Sequence, residues 1–272
     1  MRVKVYRHVR PALLNGTSLF GRFWPFFLIS SSDFKERSSS ACDQSEGAMC
    51  GRFTLRVSPA LLAEMFALHR KPEFVPQTNI CPTQLVLGVV LNQENGLRDA
   101  RLFRWGLIPH WAKDPVIGAS LINARSETIS TKPAFRAAFQ RRRCLIPADG
   151  FYEWRNTPGQ KKKQPIWIAI RNQPVFGFAS LWETWTSADG SELNTCTIIT
   201  TQANSAVAPI HQRMPVILPE AFHEHWLDPL ADPAELLTLL RPFPSEGIVL
   251  STTVADELLA SHGLPRQRTL FD

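Results

Sequence analysis

Four short segments of the chain carry side chains that could perform covalent or acid–base chemistry. The candidates, each with its segment, are Cys50 in residues 49–53, Asn123 in residues 121–128, Glu153 in residues 148–154 and His211 in residues 209–215. A thiolate is a nucleophile, an imidazole gains a proton near neutral pH, and a carboxyl group can shuttle protons. Each residue alone also has a structural interpretation: a buried thiol, a turn residue, a paired carboxylate and a hydrogen-bonded loop histidine.

Strands and short helices must position these side chains. Residues 58–69 predict an amphipathic helix with Ser58 as its N-cap, and the Asn95-Gly96 turn between the apolar runs 84–91 and 97–105 predicts a β-hairpin. Further strands are predicted at residues 143–147, 151–155, 165–171, 175–181 and 196–201, and further helices at residues 130–142, 219–226 and 233–240. Because strands dominate and no β-α-β alternation occurs, we expect an α+β fold: a β-rich single domain of mainly antiparallel strands, barrel-like, with flanking short helices.

The first 48 residues differ from the rest of the chain. Their apolar stretch, residues 19–29, is interrupted by Arg22 and Pro25, and no small-residue cleavage site follows it, so it does not match a secretory signal. Residues 30–48 are rich in serine, which is typical of a disordered segment or linker. We therefore expect residues 1–48 to be a disordered or untranslated extension, and residues 49–272 to form one domain with a flexible tail from about residue 263.

Composition narrows the class of protein. The chain has 272 residues, 44% of them hydrophobic and 20% charged, which is typical of a globular protein. No apolar run reaches the ~18 residues of a membrane-spanning helix, so we expect no membrane partner. The net charge of +6 suits an anionic partner such as nucleic acid. Five widely spaced cysteines without a CxxC pair argue against a zinc site; we expect a cytoplasmic monomer with no metal and no cofactor.

In this order, the four segments resemble those of the abasic site processing proteins, the SOS-response-associated peptidase (SRAP) family. The resemblance runs from Cys50 to about Pro219 and includes residues 79–82 and 105–109. It implies the barrel-like fold of that family and a protein of the DNA damage and SOS response. Such a protein senses abasic sites in single-stranded DNA and shields them in a covalent crosslink. In that family the cysteine follows the initiator methionine and becomes the first residue when the methionine is removed.

The resemblance implies a role for each of the four residues. The α-amine of Cys50 would form a Schiff base at C1′ of the ring-opened sugar, and its thiol would then close a thiazolidine ring. Asn123 would orient the amine, Glu153 would shuttle its protons, and His211 would protonate the sugar ring oxygen. The residues implied to contact DNA are Arg52 and Arg125 at phosphates, Trp111 as a stacking partner or else a plain core or edge aromatic, and Pro82.

A peptide bond before Cys50 would remove the free amine, which leaves alternatives open. Translation could start at Met49, or the chain could cleave itself before Cys50 as a cysteine-type peptidase that uses His211 with Asn123 or Glu153. A third possibility is a module that binds single-stranded DNA without chemistry. If the Schiff base forms, a weak lyase activity is expected beside crosslinking, because the imine acidifies C2′ and permits β-elimination.

The last residues carry a separate pattern. Gln267, Leu270 and Phe271 resemble the short peptide by which bacterial replication and repair proteins dock on the sliding clamp. Two adjacent apolar side chains on an exposed tail suit a pocket, and the glutamine suits its polar rim. Alternatively, the two apolar side chains fold back onto the domain. The expected partners are thus single-stranded DNA with abasic sites and the sliding clamp.

Overall fold

The structure, a computed structural model, describes residues 50–159 and 163–252 of the chain. Within these ranges the strands are β1 (Arg52–Leu55), β2 (Gln77–Ile80), β3 (Leu85–Leu91), β4 (Arg98–Trp105), β5 (Asn123–Arg125), β6 (Arg143–Ala148), β7 (Gly150–Arg155), β8 (Gln164–Ile170), β9 (Phe176–Thr186), β10 (Glu192–Gln202), β11 (Arg213–Pro215), β12 (Ile217–Leu218) and β13 (Ile248–Ser251). The α-helices are α1 (Pro59–Met65), α2 (Arg136–Arg141), α3 (His223–Leu227) and α4 (Pro233–Leu239), and 3-10 helices occur at Pro115–Ser120, Ser126–Thr128, Glu220–Phe222 and Ser245–Gly247. The predicted N-terminal extension and the tail with the clamp-like pattern lie outside the described residues.

Five strands of the larger sheet close into a ring. Strand β10 pairs with β4, β4 with β3, β3 with β6, β6 with β9, and β9 returns to β10. Each of these pairs is antiparallel except β10–β4, which is parallel. The short strands β5 and β11 add to β10, and β12 adds to β9. The prediction of a β-rich, barrel-like α+β domain of mainly antiparallel strands with short helices is confirmed.

The second sheet is antiparallel, with the strand order β13-β8-β7-β1-β2. Side chains of β1 alternate between its two faces, as in any strand. Phe53 is buried, and its ring meets those of Trp105 and Phe178 edge-on at centroid distances of 5.3 and 5.9 Å. This aromatic contact packs the sheet against the barrel, and it fixes where the start of β1 lies.

Several predicted elements are confirmed. Helix α1 begins where expected, because the Ser58 side chain accepts a hydrogen bond from Leu61 N at 3.2 Å. The hairpin β3–β4 forms around the predicted turn, where Gly96 has φ +71°. Both strands of the β9–β10 hairpin run further than predicted, since the buried Glu183 pairs with Arg142 and lets β9 continue through a polar position.

The predicted helix over residues 130–142 is wrong in extent. Only α2, Arg136–Arg141, is α-helical there. Pro133 disfavours helical backbone at the residue before it, and residues 131–135 form turns instead, with Lys132 N donating to Thr128 O at 2.9 Å. In the part of the chain that the structure describes, no helix combines the length and apolar character needed to cross a membrane.

Candidate active site

Cys50 lies two residues before β1 and is buried, with 4% of its surface exposed. Its backbone has φ +45°, a conformation that non-glycine residues rarely adopt. Its nitrogen donates a hydrogen bond to Glu153 Oε1 at 2.9 Å. Unusual backbone geometry of this kind is common at functional sites, and here it directs the Cys50 nitrogen at a carboxyl group.

Glu153 reaches Cys50 from the neighbouring strand. It lies in the middle of β7, one residue after Tyr152, which pairs with Arg52 of β1. Burial raises the pKa of the Glu153 carboxyl, and the hydrogen bonds from Cys50 and the positive charges of His211 and Lys163 oppose that shift. A carboxyl group with a raised pKa exchanges protons closer to neutral pH, which suits it to acid–base work.

The Cys50 thiol is far from ionised at neutral pH. Burial, with the Glu153 charge and hydrogen bond, raises the pKa of this thiol well above its usual range, while the positive charge of Arg213 acts in the opposite direction. The thiol therefore needs a base when it reacts, and Glu153 is the carboxyl group that its hydrogen bond reaches.

His211 is held by the main chain of a single residue. Its Nδ1 accepts a hydrogen bond from Arg213 N at 3.0 Å and lies 3.1 Å from Arg213 O. The neutral ring can accept from the N–H, and the protonated ring can donate to the carbonyl, so Arg213 accommodates both charge states. In either state Nε2 carries a hydrogen, which leaves it as the donor for a substrate.

A cleft of about 810 Å³ opens beside His211. It is lined by polar and small apolar side chains: Arg125, Asn156, Gln202, Ala203, Ala208, Ile210, His211, Gln212 and Arg213. Its wall forms where the parallel partner β5 lies along β10, with Asn123 opposite Ile198 and Arg125 opposite Thr200. The structure thus brings Arg125 and His211 to one cleft, places Asn123 two residues away on the same strand, and sets Glu153 within electrostatic reach of His211.

Comparison with known proteins assigns the chain to a family. The family model described as SOS response associated peptidase (SRAP) matches residues 49–257. The chain belongs to the SRAP family. It is 44% identical over 202 residues to the "Abasic site processing protein YoqW" of Bacillus subtilis (strain 168), covering 73% of this chain and 89% of that protein. It is also 32% identical over 238 residues to "Abasic site processing protein HMCES" of Gallus gallus, covering 71% and 70%.

A solved structure supports the fold of this SRAP protein. The crystal structure of a protein from Bacteroides thetaiotaomicron superposes with a TM-score of 0.69 at 28% identity, and the match covers 77% of this chain and 94% of the other. The two proteins therefore share the β-rich fold.

Two of the other SRAP residues predicted to contact DNA lie beside the site. Arg52 is the first residue of β1, and its guanidinium stacks over the Trp154 ring at 5.0 Å from the centroid. Pro82 follows β2, whose last residue Ile80 pairs with Phe53, so Pro82 lies at the N-terminal end of β1. Their contact with DNA stays a prediction.

Trp111 lies elsewhere. It is 52% exposed in the loop after β4, where Ala112 O accepts a hydrogen bond from Trp185 Nε1 at 2.7 Å. Trp185 pairs with Leu193 near the start of β10, whereas the cleft lies at the other end of β10, at Gln202. The nine residue steps from Leu193 to Gln202 span roughly 30 Å at ~3.3 Å each. The structure therefore does not bring Trp111 into the cleft, and its stacking on DNA stays a prediction.

Sequence reasoning missed residues that lie at this candidate site. Arg213 lies two residues after His211, inside a segment already singled out, but its partners come from other strands. Lys163 influences Glu153 from the residue before β8, and Asn156 lines the cleft from the residue after β7. In the sequence, only Lys163 carries a local signal, as the last of three consecutive lysines at residues 161–163. Within the described ranges, no group of three or more His, Cys, Asp or Glu side chains is arranged to hold a metal ion.

Proposed function

We propose that the protein processes abasic sites in single-stranded DNA by forming a covalent thiazolidine crosslink through Cys50 as its first residue. The names of the relatives support abasic-site processing. The observation that carries the crosslink is the 2.9 Å hydrogen bond from the Cys50 nitrogen to Glu153 Oε1. In a chain that begins at Cys50, this nitrogen is the α-amine, held next to a buried proton acceptor.

The reaction uses two bonds to C1′ of the sugar. His211 donates a proton to the ring oxygen as the sugar opens to its aldehyde. The neutral amine of Cys50 adds to C1′, and the carbinolamine loses its hydroxyl as water to give an imine. The thiol then adds to the imine carbon: the S–C bond forms, and the thiol proton passes to the nitrogen. One water is released overall, and no oxidant or reductant is needed.

The side chains around Cys50 move the protons of these steps. Glu153 takes a proton from the amine before addition and returns one to the leaving hydroxyl, which its raised pKa favours. The same carboxylate takes the thiol proton when the ring closes and passes it to the ring nitrogen, since its hydrogen bond with Cys50 already joins the two groups. Asn123, two residues before Arg125 on the cleft wall, orients the amine.

Formation of the free amine is a separate step. Initiation at Met49 and removal of that methionine would expose the Cys50 amine, and the match to the family model begins at residue 49. Self-cleavage before Cys50 is a second route, in which the nitrogen that Glu153 contacts would be the leaving group. We favour the first route. The cytoplasm, at damaged DNA, is the compartment that suits this chemistry.

A denaturing gel tests the proposal. A chain that starts at Met49 is mixed with a uracil-containing oligonucleotide that a glycosylase has converted to an abasic strand. We expect a heat-stable shifted band that vanishes in Cys50→Ala. Release of DNA fragments with little shifted band would instead indicate a lyase, and peptide cleavage without a shift would indicate a peptidase. A salt-sensitive shift seen only on native gels would indicate a binding module.

Replacement of Arg125 should weaken DNA binding without abolishing chemistry. Arg125 is exposed on the cleft wall, and no carboxylate of the described residues forms an ion pair with it, so its charge is available to a phosphate. In Arg125→Ala, we expect the salt dependence of single-strand affinity to fall by about 0.7 in log–log slope, the loss of one phosphate contact. Fluorescence anisotropy over a salt series measures the slope. Arg101→Ala, an exposed arginine on β4, is the control and should leave it unchanged.

The C-terminal tail should recruit the protein to the sliding clamp without affecting the chemistry. We expect the purified clamp of the host to bind the full chain and to lose that binding when residues 267–272 are removed. The affinity of each chain, full and shortened, is measured by its binding from solution to clamp immobilised on a surface. Crosslinking by the shortened chain should be normal. Equal clamp binding by the two chains, or none by the full chain at tens of micromolar, would contradict the assignment.

A further inference from the structure

We propose that Glu127 is a positioning residue of this site: through a bidentate ion pair it holds Arg213, and through Arg213 it holds His211. The inference rests on the proposed function, because it deepens the role of His211 in that reaction. Glu127 touches neither His211 nor Cys50 in any contact described above, so it acts through another residue.

The first link is the ion pair. Both Glu127 carboxylate oxygens accept from the Arg213 guanidinium, at 2.5 Å from Nη1 and 2.9 Å from Nη2. The same Nη2 donates to Thr200 O on β10 at 2.6 Å. Three hydrogen bonds from two directions fix the planar guanidinium, which is largely buried at 13% exposure.

The second link is the main chain of Arg213. It is the first residue of β11, where it pairs with Gln202. Its N–H and its carbonyl oxygen both lie at hydrogen-bonding distance from His211 Nδ1. A shift of the Arg213 side chain therefore moves the start of β11 and with it the imidazole. Displacement of a catalytic group by about 1 Å can reduce a rate by about 10²-fold.

Glu127 also ties two walls of the cleft together. It lies in the 3-10 helix Ser126–Thr128, directly after β5, which carries Asn123 and Arg125. The ion pair thus connects the strand of Asn123 to the loop of His211 across the end of β10. Thr200 belongs to that end, since it pairs with Arg125 on one side and with Pro215 on the other.

The charge of Glu127 acts in a defined direction. Its hydrogen bonds with Arg213 lower the pKa of the Glu127 carboxyl, so it stays ionised near neutral pH and keeps the ion pair. The charged side chains described near His211 are Glu153, on whose carboxyl it acts, and Arg125 and the ion-paired Arg213, which line the same cleft. In Glu127→Gln the Arg213 charge is no longer neutralised, so DNA should bind equally well or more tightly.

The test uses the expected combination of a slower reaction with undiminished DNA binding. With Glu127→Gln in a chain that begins at Cys50, we expect the single-turnover crosslinking rate at saturating DNA to fall about tenfold, within the range for a misplaced catalytic group. Affinity for an oligonucleotide with a tetrahydrofuran in place of the abasic sugar should not weaken. Glu127→Asp should recover part of the rate, and Glu235→Gln, which removes an exposed carboxylate paired with His225, should change nothing.

Nuclear magnetic resonance of ¹⁵N-labelled histidine separates this inference from the proposed function. Glu127→Gln should disturb the hydrogen bonds of His211 Nδ1 and should mix its ring tautomers, whether or not the protein crosslinks DNA. An unaltered tautomer of His211, or a rate loss that parallels a loss of DNA affinity and of thermal stability, would overturn the positioning role. Absence of any crosslink by the unaltered chain would instead refute the proposed function, and the tautomer of His211 would still test the positioning role.

Discussion

A chain whose first residue is Cys50 should become covalently bound to an abasic strand, and one extra residue before Cys50 should abolish the product. Acylation turns the basic amine into an amide, which has no lone pair available for addition to C1′. The nitrogen then only donates to Glu153, as it does in the structure. We expect the yield of heat-stable crosslink to fall by at least about 10²-fold, because removal of an essential reacting group costs a reaction that much or more. Denaturing gels at fixed time and mass spectrometry of the N-terminus measure it.

Cys50→Ser provides the matched control for the amine. It retains the amine but lacks the thiol, so it should give an imine that borohydride traps and no heat-stable band without reduction. The extended chain should not be trapped at all. Equal crosslinking by the extended and the free chains would exclude the amine of Cys50 from the reaction. A heat-stable, unreduced band from Cys50→Ser would exclude ring closure by the thiol.

Glu153→Gln should be slower at crosslinking and more stable than the unaltered protein. The amide can still accept the hydrogen bond from the Cys50 nitrogen, but it cannot take up or return a proton. We expect a loss of about 10²–10⁴-fold in the single-turnover rate, the range for general acid–base catalysis. Removal of the carboxylate charge also lowers the pKa of the Cys50 thiol, so alkylation of Cys50 should be as fast or faster. A slower rate with slower alkylation would indicate a damaged fold.

The stability effect follows from the raised pKa of Glu153. The folded protein binds the proton of this carboxyl more tightly than the unfolded chain, whose value is near 4.5. The resulting stabilisation is present below that value and is lost as pH rises through the folded-state pKa. At neutral pH the buried carboxylate therefore costs stability, and Glu153→Gln should raise Tm by a few degrees.

The pH dependence of Tm provides the control for Glu153. Asp149 also has a pKa raised by burial, so only the difference in Tm between the variant and the unaltered protein isolates Glu153. That difference should grow from acidic to neutral pH. A constant difference, or a lower Tm of the variant at neutral pH, would contradict this account.

Short sequence signals predicted those helices and turns that depend on only a few neighbouring residues. The Ser58 cap and the Asn95-Gly96 turn identified α1 and the β3–β4 hairpin, because each depends on a few neighbouring residues. Strands β5 and β11 were not predicted, since three residues carry no periodicity and both exist only through pairing with β10. The four principal site residues were singled out through the order of their segments, whereas their proximity depends on pairing between distant strands, β1 with β7 in one sheet and β5 with β10 in the other.

Contacts between residues far apart in the sequence explain the remaining differences between the predicted and the observed site. Arg213 acts on His211 through its main chain, which gives the arginine side chain no signature of its own in the sequence. Trp111 follows the segment 105–109 closely along the chain, yet β4 and β10 carry it to the far end of the barrel from the cleft. In a closed barrel, residues that are close in the sequence can lie at opposite ends of the barrel, because each strand runs from one end to the other.

Strand β1 is hydrogen-bonded on both sides, to β7 and to β2, and Cys50 lies at its N-terminal end. If DNA is attached at Cys50, a force on the DNA pulls β1 along the axis of that β-strand. Such a load strains the hydrogen bonds to both neighbours together, in shear, rather than opening them one after another as a peeled edge strand would. The buried Phe53 opposes the same displacement. We therefore expect the crosslinked domain to resist mechanical extraction by enzymes that translocate along DNA.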